Sequence, residues 1–176
     1  FELACFYRRS FHMFICNGIL FNHESKIRPR SFVTRKITSF VASFANMDEE
    51  KRAKIEPLQL GSLDVTRDWG SAEDYVVAMW LMLQHNEPID LVISSGVSTS
   101  VRQFVEIAFD YIGISLIWTG VGLQEKARVK GTENVVIEVN KDFYRPSDGT
   151  KLVGDPSKAK ASLKWQASKS VRDIVN

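Results

Sequence analysis

The sequence of 176 residues predicts an α/β fold, because segments with helical periodicity alternate with short apolar runs typical of strands. From Phe32 to Phe44 the apolar residues fall on one face of a helix. The clearest strand candidates are the apolar runs at residues 58–60, 91–93, 116–118 and 135–139. Residues that favour helix ends stand between the two kinds of segment.

The amino-terminal part of the chain begins with a helix candidate. Residues 3–12 predict the end of a helix, and residues 13–16 predict a short strand that stops at the turn signal Asn17-Gly18. Residues 22–30 are polar and basic and predict a loop. The mixed charges of residues 48–52 predict a solvated loop or a helix end.

Capping signals predict where the later helices begin. These signals are Ser71 with Asp74, Ser100 with Gln103, and Asp155 with Pro156. The corresponding helices are predicted at residues 72–84, from residue 101 to Gly113 and up to Leu163, and a last helix is predicted at residues 168–175. Trp80 and Trp165 follow apolar neighbours and are predicted to lie in the core.

The charges of the chain nearly cancel, with 23 basic and 21 acidic residues and a formal net charge of +2. A dedicated nucleic-acid-binding domain usually shows a clear basic excess, so no nucleic-acid partner is expected. The longest apolar run, from Val76 to Leu83, is far shorter than the ~20 residues that cross a bilayer. No membrane partner is therefore expected.

The two cysteines, Cys5 and Cys16, match no common zinc or redox spacing. So few cysteines are typical of a protein in a reduced compartment, and a cytoplasmic location is expected. His12 and His85 have no neighbours of metal-ligand type at useful spacing, so no metal site is expected.

Basic residues accumulate between Asn17 and Lys36, and they are suited to a phosphate-rich ligand because guanidinium and ammonium groups pair with phosphate oxygens. The residues of this first segment are His23, Lys26, Arg28, Arg30, Arg35 and Lys36. The alternative interpretation is a solvated basic loop.

Two further segments carry an arginine in a position suited to an anion. Arg67 opens the string Arg-Asp-Trp-Gly just before a helix candidate, where it can join the backbone N–H groups in binding an anion. The alternative there is a surface pair of Arg67 with Asp68. Farther along, Arg145 offers a fork for phosphate, and Asp148 could accept a ribose hydroxyl.

Residues for hydride and proton transfer are not recognisable in the chain. The nucleotide-binding half of an α/β protein opens with a strand, a glycine-rich turn and a helix, and the amino-terminal region lacks that pattern. Gly120-Val121-Gly122 has no third glycine at the required spacing and is predicted to be a loop. No suitable Tyr-x-x-x-Lys pair is present, so no catalytic residue is assigned.

Read in order, these segments resemble the GDP-mannose 4,6-dehydratases, a family of the extended short-chain dehydrogenase/reductase superfamily. The resemblance covers nearly the whole chain from about Tyr7, and its first string is highly specific. The matching strings are Asn17-Gly-Ile-Leu-Phe-Asn-His-Glu-Ser25, Phe32-Val-Thr-Arg-Lys-Ile-Thr38, Leu60-Gly-Ser-Leu-Asp64, Arg67-Asp-Trp-Gly70, Asp74-Tyr-Val76, Ala78-Met-Trp-Leu-Met-Leu-Gln84, Ser100-Val-Arg-Gln-Phe-Val-Glu106, Phe143-Tyr-Arg-Pro146 and Gly154-Asp-Pro-Ser-Lys-Ala159.

The resemblance implies an α/β fold made of the last part of a Rossmann-type parallel sheet and a small substrate-binding α/β domain. It implies that residues 1–176 are a carboxyl-terminal fragment with its cofactor-binding portion upstream, and that this chain alone is inactive. The family converts GDP-mannose to GDP-4-keto-6-deoxymannose with loss of water, using NADP, as the first step of GDP-fucose biosynthesis. GDP-mannose is the expected partner, and the full-length enzyme is expected to be a homo-oligomer.

The resemblance also assigns substrate-binding roles, to Asn17, Lys36, Arg67, Arg145 and Asp148. Asn17 and Arg67 match positions that hold the diphosphate of the sugar nucleotide, and Lys36 matches a substrate-side residue. Arg145 and Asp148 match the pair near the phosphate and the ribose.

Two residues match positions that touch NADP, His23 and Arg28. Residues 26–30 depart from the family's usual pattern, which has a proline directly after the His-Glu-Ser string. Two other interpretations stay open. The chain could be a neighbouring sugar-nucleotide epimerase or dehydratase, against which the string from Asn17 to Ser25 argues. It could also be a non-catalytic module that binds sugar nucleotides, because no catalytic centre is recognisable in it.

Overall fold

The structure, a computed structural model, describes residues 1–145 and 151–176. Asp148, assigned above to the ribose side of the ligand, lies outside the described residues. The described helices are α1 (Glu2–Phe11), α2 (Val33–Ala45), α3 (Glu49–Ala53), α4 (Ala72–Leu83), α5 (Val101–Tyr111), α6 (Ser157–Leu163) and α7 (Val171–Val175). The described strands are β1 (Asn17–Leu20), β2 (Asn22–Glu24), β3 (Leu58–Leu60), β4 (Thr66–Ser71), β5 (Asp90–Ile93), β6 (Ser98–Ser100), β7 (Leu116–Thr119), β8 (Lys126–Val129) and β9 (Val135–Val139).

The chain divides into two compact units, and the backbone passes from one to the other several times. Unit 1 comprises Phe1–Ser25, Asp68–Ser98 and Leu152–Ile174. Unit 2 comprises Lys26–Arg67, Thr99–Lys151 and Val175–Asn176. Strands and helices alternate in both units, which confirms the predicted α/β class.

Unit 1 is built on parallel strand pairs. β1 runs parallel to β5 with Asn17 opposite Asp90, and β2 runs parallel to β4 with His23 opposite Gly70. β4 is flanked by β2 and β6 in its sheet. Helices α4 and α6 pack on these strands around the buried side chains of Tyr75, Ala78, Met82, Leu91, Ile93, Ala159 and Trp165. Trp165 is therefore in the core, as predicted.

Unit 2 holds a four-stranded mixed sheet in the order β3-β9-β8-β7. β3 and β9 are parallel, whereas β8 runs antiparallel to both of its neighbours, with a register shift between Ala127 and Arg128. Helix α2 packs against α5 through aromatic rings. Phe44 meets Phe109 edge to face, with ring centroids 5.8 Å apart, a favourable geometry for aromatic pairs.

The capping signals act as predicted in one case and differently in another. Ser100 and Gln103 form a complete capping box at the start of α5. At the start of α4, Ser71 accepts a hydrogen bond from the backbone as predicted. Asp74 does not close a box there, because its carboxylate accepts from the backbone N–H groups of residues 168 and 169. A local sequence pattern cannot show that competing partner, which lies far along the chain.

Strand β1 begins at Asn17, where the sequence predicted that a strand would stop at a turn. The prediction is wrong because the Asp90 carboxylate accepts from the Asn17 backbone N–H (2.9 Å) and from its side-chain amide (2.8 Å). These bonds hold Asn17 in register with β5, and Gly18 does not adopt the positive φ of a turn glycine. Residues 22–24, predicted as loop, form β2, whereas turns and irregular backbone follow up to residue 30.

Helix α4 is apolar around most of its circumference, and this makes the prediction for Trp80 wrong. Tyr75, Ala78 and Met82 face the core, whereas the Trp80 side chain is 59% exposed. A helix without a clear polar face gives the sequence no signal for its orientation. Within residues 1–145 and 151–176, α4 and the other helices are too short or too polar to cross a membrane.

Candidate functional site

Asn17 stands at the start of β1 in unit 1, and both of its nitrogen atoms are engaged. Besides its two bonds to Asp90, the Asn17 side-chain amide lies 3.9 Å from the Cys5 sulfur. The Asp90 carboxylate also accepts two hydrogen bonds from the Arg8 guanidinium, from Nη1 at 3.0 Å and from Nη2 at 2.5 Å. The guanidinium of Arg8, with help from Asn17, holds the pKa of Asp90 well below its usual range. A diphosphate needs a donor, so the predicted role of Asn17 requires its amide to leave one of these partners.

His23 lies on β2, where its ring nitrogen Nδ1 is 2.8 Å from the Phe21 carbonyl oxygen. A carbonyl only accepts, so Nδ1 donates in this bond, and Nε2 is the ring nitrogen that a ligand could meet. The ring also packs against Tyr75, with centroids 5.1 Å apart. Burial raises the pKa of Tyr75, and the negative charges of Asp68 and Asp74 raise it further.

Asp68 is fully buried, and its carboxylate ties together separate parts of unit 1. One oxygen accepts from the Ser95 backbone (2.8 Å) and hydroxyl (2.6 Å), and the other accepts from Gly96 N–H (2.9 Å) and Gly154 N–H (3.2 Å). The interpretation of Arg67 and Asp68 as an exposed surface pair is therefore wrong. Arg67 itself is partly buried in unit 2, where Nη1 donates to the Thr66 carbonyl at 2.9 Å.

Lys36 lies on α2 in unit 2, and its ammonium has two attachments there. Nζ donates to the Gln59 carbonyl at 2.7 Å and stands 4.3 Å from the centroid of the Phe143 ring. Burial lowers the pKa of Lys36, because a partly desolvated ammonium is less stable than a solvated one. Arg145 follows two residues after Phe143 and is exposed.

Arg28 lies in the segment before α2, and its guanidinium stacks on the ring of Phe32 at 3.6 Å from the centroid. This is a cation–π contact within unit 2. The stacking holds the guanidinium plane against the protein, and the Nε atom of Arg28 is buried there.

The predicted residues fall on both units. Asn17 and His23 belong to unit 1, whereas Arg28, Lys36, Arg67 and Arg145 belong to unit 2. Within unit 2 the structure brings Lys36 to the segment that leads into Arg145, through the ring of Phe143. In the part of the chain that the structure describes, no group of His, Cys, Asp or Glu side chains has the geometry of a metal site.

Several residues that hold the predicted residues in place within each unit were not found from the sequence. Phe143 and Gly61 both lie inside strings quoted for the family resemblance, but nothing in those strings shows that they touch. Asp68 follows directly after Arg67 in a mostly polar segment, so its sequence neighbours do not indicate a buried carboxylate. Asp90 gave no signal, because its partners lie far away in the sequence.

Comparison with known proteins gives a match along the whole chain. The family model for GDP-mannose 4,6 dehydratase matches residues 1–176. The GDP-mannose 4,6 dehydratase of Dictyostelium discoideum is 46% identical over 169 residues, which are 96% of this chain and 46% of that protein. The Homo sapiens protein of the same name is 44% identical over 169 residues, 96% of this chain and 44% of its own length. The chain thus spans about half the length of the curated relatives it matches.

Solved structures show the same fold at much lower identity. RMD from Pseudomonas aeruginosa, complexed with NADPH, aligns with a TM-score of 0.70 at 18% identity. The aligned region covers 99% of this chain and 50% of the RMD chain. The dTDP-glucose 4,6-dehydratase from Bacillus anthracis, in complex with NAD, has a TM-score of 0.71 at 13% identity, over 99% of this chain and 46% of its own. These likenesses confirm the Rossmann-type α/β fold class.

Proposed function

The chain belongs to the GDP-mannose 4,6-dehydratase family, and from this membership we propose that it is the substrate-binding part of such an enzyme. The complete enzyme would convert GDP-mannose to GDP-4-keto-6-deoxymannose with loss of water, a lyase reaction. Within this proposal the chain is a carboxyl-terminal portion, residues 1–176, whose cofactor-binding counterpart corresponds to the half of the relatives that it does not match.

The observation that carries the proposal is the setting of Lys36. Partial burial disfavours the charged ammonium, and among the described residues the contacts of Lys36 are a carbonyl and an aromatic ring, so a bound anion would stabilise it. Arg145 lies close in sequence to Phe143, which carries that ring, and Arg67 supplies a second guanidinium in the same unit. Two guanidinium forks and one ammonium suit the oxygens of a diphosphate.

NADP is the cofactor proposed for the complete enzyme, and it would supply the acceptor for a hydride from the sugar. His23 fits a contact with it, because its Nδ1–H donates to a carbonyl and its Nε2 remains to meet the cofactor. Arg28 fits a phosphate contact by its chemistry, because a guanidinium group pairs with phosphate oxygens. The glycine-rich turn that cradles a dinucleotide is absent from this sequence, so these two residues would complete a site built elsewhere.

The roles of the substrate-side residues follow from their chemistry. Arg67 and Arg145 would bind the diphosphate through paired N–H groups, and Asp148 would accept from a ribose hydroxyl. Asn17 would reach the diphosphate only by exchanging a bond to Asp90 for a bond to the ligand. The complete enzyme is proposed to be a cytoplasmic homo-oligomer without nucleic-acid or membrane partners, in keeping with its two free cysteines and balanced charge.

A non-catalytic module that binds sugar nucleotides is the second candidate, and one sequence observation favours it. None of the tyrosines is followed four residues later by a lysine, so the chain supplies no Tyr-x-x-x-Lys pair of its own. A sugar-nucleotide epimerase is a weaker candidate. Its solved examples, such as the UDP-glucose 4-epimerase from Thermotoga maritima, match at 17% identity and share the fold only.

The test measures ligand binding by the chain alone and then activity after the chain is combined with the unmatched half of a relative. Calorimetry on the purified chain should show tighter binding of GDP-mannose than of UDP-glucose, and the reverse preference would favour an epimerase. Co-expression with the unmatched half of the Dictyostelium relative should then produce the 4-keto product from GDP-mannose and NADP. Binding without turnover in that combination would favour the non-catalytic module.

A further inference from the structure

The chain after β9 folds back onto the end of β3 in unit 2. The Asn140 N–H donates to the Leu60 carbonyl at 2.8 Å, which extends the pairing of the two strands by one bond. The Phe143 N–H then donates to the Asn140 carbonyl at 3.1 Å and closes a turn. Phe143 therefore comes to lie directly beside Gly61, the residue that follows β3.

Gly61 is required for space and not for conformation. A Cβ atom built on Gly61 would overlap the Phe143 carbonyl oxygen and would stand 3.0 Å from its carbonyl carbon. Both are backbone atoms and cannot turn aside as a side chain does. Gly61 does not have a positive φ, so an alanine could adopt its backbone conformation. The hydrogen atom on Gly61 is thus what lets the Phe143 backbone approach.

The approach of Phe143 fixes the place of a charged group. Its ring lies under the Lys36 ammonium, 4.3 Å from the centroid, while the Gln59 carbonyl takes a bond from the same nitrogen. An ammonium has three donors, so these two contacts aim the group without using all its capacity. The ring also anchors the chain two residues before Arg145.

We propose that Gly61 and Phe143 are positioning residues, which set the Lys36 ammonium and the segment bearing Arg145 for the phosphates of a nucleoside diphosphate sugar. The inference rests on the proposed function, because that function names the ligand. It adds two residues that touch no ligand themselves and act through Lys36. Neither the Gln59 carbonyl nor the Phe143 ring gives Lys36 a negatively charged partner, and a phosphate oxygen would supply one.

Two variants test this by different routes. Gly61→Ala pushes the Phe143 backbone away, whereas Phe143→Leu removes the ring without asking the backbone to move. Phe143→Tyr keeps the ring face and is the conservative rescue. Gly18→Ala is the matched control, because the nearest neighbours of its added Cβ would be atoms of flexible side chains, Leu20 at 3.4 Å and Met82 at 3.9 Å. Far-UV circular dichroism and thermal melting show whether each variant folds. If Gly61→Ala does not fold, Phe143→Leu still tests the proposal.

The first readout is the NMR signal of Lys36 after reductive methylation of the lysines, identified by its loss in Lys36→Ala. A ring close to the methylated nitrogen shifts that signal, so it should move to the position of solvated lysines in Gly61→Ala and Phe143→Leu only. The second readout is the affinity for GDP by calorimetry. We expect about tenfold weaker binding in the same two variants, since a charge-assisted bond is lost or misplaced.

The outcomes separate this inference from the function on which it rests. A shifted Lys36 signal and weakened GDP binding in both variants, with Phe143→Tyr and Gly18→Ala unchanged, support the positioning role. An unmoved Lys36 signal, or a moved signal with unaltered GDP affinity, overturns it. Failure of the unaltered chain to bind GDP overturns the proposed function, and with it the ligand named here, whatever the Lys36 signal does.

Discussion

His23 and Asn17 are held by neighbours that determine which of their atoms remain for a ligand. His23 keeps one ring nitrogen for a ligand because the Phe21 carbonyl takes the other, and both amide hydrogens of Asn17 have partners in unit 1. The sequence could predict the type of side chain suited to phosphate. It could not predict these competing bonds, because Asp90 lies 73 residues from Asn17.

Arg67 gives the sharpest test at the scale of a residue. If its guanidinium binds the diphosphate, Arg67→Ala removes a charge-assisted bond and costs roughly 1.5–3 kcal/mol of binding free energy. That corresponds to an affinity for GDP-mannose about ten- to a hundred-and-fifty-fold weaker. Arg67→Lys should recover only part of the loss, because an ammonium cannot make a planar fork. Calorimetry with GDP-mannose measures both.

Arg128→Ala is the matched control for Arg67. Arg128 lies in the same unit and also donates from Nη1 to a backbone carbonyl, that of Thr132, at 2.8 Å. Nothing assigns Arg128 to the ligand, so its alanine variant should bind GDP-mannose normally. Unchanged affinity in Arg67→Ala would remove Arg67 from the site and would weaken the placement of Asn17 and Arg145, which rests on the same resemblance.

At the scale of elements, predictions succeeded where the signal is local and failed where it is not. The capping box at Ser100 and the periodicity of α2 depend on neighbours within one or two turns, and both were predicted correctly. Strands β4 and β8 were missed, because each is mostly polar and is defined by pairing with a distant strand. A period of two cannot be recognised in such short polar segments.

The ion pair of Arg8 with Asp90 links α1 to β5 and predicts a pH dependence. The pKa of Asp90 is lowered in the folded chain, chiefly by the hydrogen bond from Arg8, so the pair stabilises the fold above the ordinary carboxyl pKa of about 4. This stability is lost as the pH falls from about 4 through the depressed folded value. Denaturant unfolding from pH 7 downwards should show that loss for the unaltered chain.

Asp90→Asn separates this pair from other carboxylates. The variant should be less stable at pH 7, and its stability should fall less steeply below pH 4, because one coupled proton is gone. Glu56→Gln, at an exposed position, should reproduce the curve of the unaltered chain. An acid limb of equal steepness in Asp90→Asn would show that the Arg8 bond does not determine the pH dependence.

At the scale of the whole molecule, the sequence carries residues proposed for the substrate side but no recognisable proton-transfer pair. We therefore expect no formation of the 4-keto product when the purified chain is given GDP-mannose and NADP. Without removal of the hydride at C4, the proton at C5 is not acidic enough to leave, and no group here is assigned to take it. Product above the level of a heat-denatured control would contradict the proposed division of labour.

Unit 1 exposes large apolar side chains on two of its helices. These side chains are, on α1, Leu3, Phe6, Tyr7 and Phe11 and, on α4, Val76, Val77, Met79, Trp80 and Leu83. β1 pairs with β5 on one side only within the described residues, which leaves a strand edge open. Extended apolar patches and open edges promote association, so the relatives' remaining half is the proposed cover for them.

The purified chain should consequently bind a hydrophobic dye such as ANS strongly and should aggregate as its concentration rises. Trp80→Gln, at a side chain that is 59% exposed, should lower the dye signal and slow aggregation without loss of melting temperature, because Trp80 contributes little to the core. Val121→Gln is the control, since Val121 is exposed in a loop of unit 2, outside the apolar helices of unit 1, and the substitution should leave dye binding nearly unchanged. A monomeric chain that melts sharply and binds no dye would favour a self-sufficient module, because its apolar helices would then need no further half to cover them.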